Sequence, residues 1–368
     1  MNRRGDGNSR GDADTRGEAG ARGDATPRGD GSRRGGERAM VPEADFRSYY
    51  GRPVIKSPIW HEPHMPTYLY LGGVSGASAL LAAGAHLSGS HRLALTAKLT
   101  AAASAAAGAG FLIAELGRPD RFLNMLRVLK PTSPMSIGSW ILAAHGTITA
   151  AAAGSAITGL LPRLGAAATL AGAVTGPAMA TYTGVLVADT AVPAWHEGRR
   201  ELPFLFAGSA LAGAGALAML ATPYAEASPA RRAAVLGAVA ETAAMEIMLR
   251  RLGMHAETYQ RGSAGRLVRA SRALALAGGA AAAAAEAAKA VPRARRAGRA
   301  GRAGRAGRAL STVAGLALTA GALCTRFAVL RAGKASAEDP KYTVVPQRER
   351  VTARAASPHR EGAEPAPR

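Results

Sequence analysis

The sequence predicts an all-α fold, a polytopic membrane protein of about eight transmembrane helices with a basic low-complexity tail at each end. Two observations predict it. Over the 368 residues, stretches of about twenty with almost no ionisable groups alternate with short Arg clusters; that length crosses a hydrocarbon core of about 30 Å at about 1.5 Å per residue. The apolar residues, 48% of the chain, are mostly Ala and Gly, which let helices approach closely and suit a packed polytopic bundle better than a lone anchor. Mean hydropathy stays at only +0.02 for the same reason.

The elements follow in order. Residues 1–45 form a tail with an Arg-Gly-Asp/Glu repeat every six residues, from Arg4-Gly5-Asp6 to Arg28-Gly29-Asp30. It has nothing to bury and is expected to be disordered. It has no apolar core and does not read as a signal peptide; Met40, just before the non-repetitive sequence, is a candidate start. Residues 46–290 hold the first seven spans. Trp60, His61, Glu62, Pro63 and His64 lead into the first, about 66–87, and the second, about 96–115, ends at Glu115. The polar connection 116–137 contains Pro119, Pro131 and Pro134, which forbid a continuous helix. Spans three and four, about 138–160 and 166–188, join through Leu161-Pro162-Arg163 as an antiparallel hairpin. Spans five, six and seven fall at about 202–221, 231–250 and 271–290, the last Ala-rich and weak. An Ala-Gly-Arg repeat occupies 291–308 as a cationic loop, span eight covers 309–330, and 331–368 form a disordered C-terminal tail.

A net charge of +21 raises the question of nucleic acid. The Arg residues lie in tails and between spans, where orientation and lipid head groups account for them, so membrane lipid and not nucleic acid is the expected partner. Loops on the side shared with the N-terminus carry Arg118, Arg121, Arg127, Lys130, Arg199, Arg200 and Arg251; the opposite side is poorer until the Ala-Gly-Arg tract. Early helices dominate orientation, giving a multi-pass protein of the cell (plasma or inner) membrane with cytoplasmic termini. Cys324 is the only cysteine, so the chain cannot supply the four ligands of an iron–sulfur cluster. Paired intramembrane histidines for haem and a third ligand for zinc beside His61 and His64 are also missing, so no metal is expected.

An ionisable group at mid-membrane costs about 2.5–3.5 kcal/mol and needs a reason. Candidates are Glu115, His145, Asp189, Glu241, Glu246 and Glu286. Glu246 with Arg250, and Glu286 with Lys289, have the spacing of intrahelical ion pairs. A second group gathers at one membrane face if the spans alternate: His61, Glu62 and His64 before span one, Tyr182 and Asp189 closing span four, and Trp195, His196 and Glu197 in the next loop. Two readings fit this group. It is either a set of interfacial anchors or a site where imidazole, phenol and carboxylate bind a carbonyl and move a proton.

Three motifs carry a resemblance: Pro66-Thr67-Tyr68-Leu69-Tyr70-Leu71-Gly72-Gly73-Val74-Ser75-Gly76; Glu115-Leu116-Gly117-Arg118-Pro119-Asp120-Arg121-Phe122 with Ser136-Ile137-Gly138-Ser139-Trp140; and Tyr182-Thr183-Gly184-Val185-Leu186 running on to Leu202-Pro203. Over roughly residues 50–290 the chain resembles the NrfD/polysulfide-reductase membrane-subunit family. The resemblance implies eight helices in two four-helix bundles and a membrane anchor subunit of a multisubunit oxidoreductase. It implies exchange of electrons between the quinone pool, of the menaquinone type or another, and a four-cluster ferredoxin-like iron–sulfur subunit, with a molybdopterin catalytic subunit beyond in many relatives. By motif, His64, with His61 as rival, and Tyr182 take the quinone positions; Asp189 and Glu115 are added as proton relays. The chain alone is expected to be catalytically silent. Two rivals from other classes are a secondary transporter or ion channel using Glu241, Glu246 and Glu286, and a purely structural anchor.

Overall fold

The computed structural model describes residues 53–117, 119–290 and 297–355. Every regular element among them is helical: α1 His64–Leu87, α2 His91–Glu115, a 3-10 segment Pro119–Leu126, α3 Pro134–Thr158, α4 Pro162–Ala188, the short α5 Pro193–Glu197, α6 Leu202–Ala221 and α7 Ser228–Arg251. A 3-10 turn Gly253–His255 leads to the short α8 Ala256–Gln260, then α9 Gly262–Ala290, α10 Ala297–Glu338 and α11 Lys341–Ala355. The eight long helices α1, α2, α3, α4, α6, α7, α9 and α10 are the eight expected spans.

Proline sets many of the starts. It stands in the first turn of α3 to α7, where its missing N–H costs nothing. Ser133 caps α3 by accepting from the Ser136 N–H, and Gly159 ends it in the left-handed conformation at φ 71°. Leu161, also at positive φ, completes the turn into α4.

The long helices pack as two bundles of four, α1–α4 and α6, α7, α9, α10, with α1 and α4 lying against α6 between them and α1 also reaching α10. Small residues decide how close they come. At the α1–α4 crossing a Cβ added to Gly76 or Gly176 would lie within 3 Å of the other glycine's carbonyl oxygen, so only two glycines permit this backbone-to-backbone contact.

Six of the long helices are apolar enough to cross a membrane by composition. The other two, α7 and α9, carry charges that neutralise one another. Fully buried Arg231 meets Glu286 at 2.7 Å, and Arg232 meets the same carboxylate at 3.2 Å. The expected Glu286–Lys289 pair is replaced by these two, while the Lys289 ammonium turns to the Ala225 carbonyl and Ser228. Glu246 does pair with Arg250, at 3.4 Å, and additionally with Arg272, at 3.2 Å.

Two expected irregular segments are helical where described. The Ala-Gly-Arg tract of 291–308 is part of α10 from Ala297 onward. Ala and Arg are strong helix formers, each Gly costs only about 1 kcal/mol, and the apolar span has already nucleated the helix. At about 1.5 Å per residue the 42 residues of α10 reach about 63 Å, twice a hydrocarbon core. The tail expected from 331 is helix to Glu338 and again over α11, because tertiary partners hold it: Arg331 forks onto Glu62 at 2.6–3.2 Å, and Lys341 meets Glu257 at 3.0 Å. The N-terminal tail 1–45, residues 291–296 of the repeat and 356–368 of the C-terminal tail lie outside the described residues.

Candidate functional site

The N-terminal end of α1 and the C-terminal ends of α2 and α4 meet at one end of the first bundle. Glu115, the last residue of α2, has a side chain only 9% exposed. One carboxylate oxygen accepts the His61 backbone N–H at 2.8 Å and lies 3.3 Å from His61 Nδ1. The other lies 3.6 Å from His64 Nδ1 and is buried without a hydrogen bond. Both imidazoles open outward, with side-chain exposures of 72% for His61 and 40% for His64, and the His64 ring stands against Phe111 with centroids 6.2 Å apart. An exposed imidazole pair over a buried carboxylate can accept a proton from one side and return it to the other.

One turn below His64 on the same face of α1 is Tyr68. Its hydroxyl hydrogen-bonds that of Tyr182 from α4, and both residues are buried. Gly138 of α3 makes room: a Cβ there would fall within 3 Å of two Tyr182 ring carbons. Two phenols bonded only to each other use one hydrogen of two, leaving one O–H free for an acceptor. Two turns deeper, His145 is fully buried between Ser75 at 3.1 Å from Nε2 and Thr175 at 2.8 Å from Nδ1. Ser75 spends its hydrogen on the Ala101 carbonyl at 2.7 Å, so Nε2 is the protonated nitrogen and Nδ1 accepts from Thr175.

The sequence-predicted residues therefore separate. His61, His64 and Glu115 come together, and Tyr182 lies below them paired with a tyrosine that sequence reasoning named only within a motif. Asp189 caps α4 in an exposed position and makes no side-chain hydrogen bond or ion pair among the described residues. Glu62 belongs to Arg331. Trp195 is not a surface anchor: it is 1% exposed, stacks on Trp60 with centroids 5.2 Å apart, and donates from Nε1 to the Val329 carbonyl at 2.7 Å. His196 is exposed. Glu201 binds Arg251 through both carboxylate oxygens at 2.5 and 2.6 Å, tying α6 to α7 at this end. The i,i+4 step from His64 to Tyr68 was the available signal for the second phenol. Arg326, buried in α10, escaped because its span reads as apolar on either side.

Among the described residues no group of three or more His, Cys, Asp or Glu side chains is placed to hold a metal ion. Comparison of the chain with characterised proteins finds no match. The family model described as polysulphide reductase, NrfD, matches residues 53–271, more than half of the 368 residues, and spans the Glu115 and Tyr182 motifs. The chain therefore belongs to the polysulphide reductase NrfD family, whose members are membrane subunits of oxidoreductase complexes.

Proposed function

We propose that this chain is the quinone-reactive membrane anchor of its complex, exchanging electrons between the quinone pool, of the menaquinone type or another, and an iron–sulfur partner. The observation that carries it is the vertical order of groups at one end of the first bundle: exposed His61 and half-buried His64 over the buried Glu115, and the Tyr68–Tyr182 pair one turn below. A quinone head group presents two carbonyl acceptors and carries two electrons with two protons. The unspent phenolic O–H and the His64 imidazole are donors of the right type for those acceptors. Glu115 has a buried oxygen with no hydrogen bond, which suits a group that takes a proton from the His64 ring and gives it up through the exposed His61.

Electrons have to enter or leave through another protein. One cysteine cannot ligate a cluster, so the partner supplies the metal; a four-cluster ferredoxin-like subunit fits, with a molybdopterin catalytic subunit beyond it. The docking surface we assign is the site-bearing end, capped by α5, α8 and α11. Its basic loops support an orientation with this end, and both termini, on the cytoplasmic side of the cell membrane.

In the assembled complex, Tyr182→Phe and His64→Ala are each expected to lower quinone-linked turnover by about two orders of magnitude, the scale of losing a positioned acid–base group. Complex yield and turnover with a water-soluble electron acceptor or donor should be unchanged. Full quinone-linked turnover in both variants would reduce the chain to a structural anchor.

A further inference from the structure

A second buried polar group lies in the other bundle and has no part in the site above. Glu241 of α7 is 4% exposed, and one of its oxygens accepts from the Thr325 hydroxyl at 2.5 Å. Arg326 of α10 is fully buried. Its Nη2 donates to the Phe206 carbonyl at 3.0 Å and its guanidinium carbon lies 3.7 Å from the Phe206 ring centroid, yet Nε and Nη1 have no hydrogen-bond partner. The Tyr70 and Thr319 hydroxyls face each other, and the Ser209 hydroxyl stands beside Glu241.

A buried guanidinium with two unused nitrogens near a buried carboxylate is too costly to leave dry. Glu241 and Arg326 do not form a direct ion pair among the described residues, so what joins them has to donate and accept at once. Water does both. A small pocket, partly open on one side, is lined by Glu241 and Thr325 together with Glu246 and Arg272.

The geometry points to a hydrated, protonatable site in the second bundle, in which Glu241 exchanges a proton with outside water through the Glu246–Arg272 pocket while Arg326 holds the bridging waters. A hydronium at the pocket gives up a proton, which forms an O–H bond on the carboxylate and leaves a neutral water behind, taking the Glu241–Arg326 pair from net zero to one positive charge. The groups that bear on Glu241 are Tyr70 from α1, Cys324 and Arg326 from α10, Arg272 from α9 and Glu246 on its own helix; α6 contributes Ser209 and no ionisable group. Helix α1 is the common wall: Tyr68 faces the first bundle, and two residues on Tyr70 faces Arg326. The site stands whether or not the first bundle binds quinone.

The test is pH-difference infrared spectroscopy of the full chain in lipid nanodiscs, in H2O and D2O. The expected result is a carboxyl C=O band that appears on acidification, shifts in D2O, and is lost in Glu241→Gln. A band that persists in Glu241→Gln, the absence of any titrating band, or a band that does not exchange in D2O overturns the proposal. If Glu241→Gln does not fold, Thr325→Val carries the test. It deletes one hydrogen bond to the same oxygen, so the band must move to higher frequency, and an unmoved band overturns the proposal equally.

Discussion

A carboxylate at the last residue of a helix faces the negative end of the backbone dipoles, and Glu115 is in that position at the end of α2. Nothing local compensates. The compensation comes from the His61 backbone N–H and two imidazoles across 54 and 51 residues of sequence, so this residue is held by tertiary structure. Gly138 is the matching case on the neutral side of the site. Gly138→Ala is expected to destabilise the purified chain by about 1–3 kcal/mol, as overpacking does, because its methyl would press into the Tyr182 ring. Gly146→Ala, where nothing lies within 4 Å, should be neutral or mildly stabilising. Equal melting temperatures for the two variants would show that the close fit at Tyr182 has no energetic content.

At the scale of elements, α11 is the one whose existence depends most on partners. Its mean character is polar, and it follows a helix that has already left the membrane. Glu257 of α8 accepts from Lys341 and from the Tyr342 hydroxyl, and His255 lies 3.1 Å from the Tyr342 carbonyl. The Lys341 hydrogen bond foremost, helped by Arg261, holds the Glu257 carboxyl below its usual range. A carboxyl with a depressed folded value stabilises the docked helix above its unfolded value of about 4.3 and loses that contribution as pH falls through the lower one. Amide-exchange protection of α11, corrected for intrinsic rate, should therefore drop on acidification through this range. Glu257→Gln should lower the protection at neutral pH and flatten its acid dependence; a variant that keeps the wild-type profile would show that other contacts hold α11. The tilted Tyr342 and His255 rings, with centroids 5.9 Å apart, are a further tie.

For the whole molecule, eight long helices bring the start of α1 and the end of α10 to one membrane face, as the Glu62–Arg331 pair requires. The charge of the loops is the basis of the orientation we propose. With the site-bearing end on the cytoplasmic side, protease added to inside-out vesicles should release a C-terminal tag placed after α11, and right-side-out vesicles should retain it. The reverse pattern would move the partner subunit to the outer face. The long basic start of α10 projects from the opposite face and opposes this orientation. The proposed orientation gives more weight to the early helices, which insert first.

The sequence by itself determined that this is an eight-helix membrane protein, where most spans lie, and which family it belongs to. Span length, Ala and Gly content and the Leu116-Gly117-Arg118-Pro119 type of motif are local properties, and local pattern is what a linear string records. It also named His61, His64, Glu115 and Tyr182. It misjudged 297–308 and 331–355 as irregular, because the first extends a helix already nucleated by the adjacent span and the second is held by partners distant in sequence. Only the tertiary structure decided that Glu62 serves Arg331, that Trp195 is interior, that Asp189 stands apart from the histidines, and that Arg231 and Arg326 are buried. Each of those outcomes depends on which side chains from distant helices share a low-dielectric space. There an unpaired charge or hydroxyl is expensive, so the partner across the gap, not the residue type, sets what each group does.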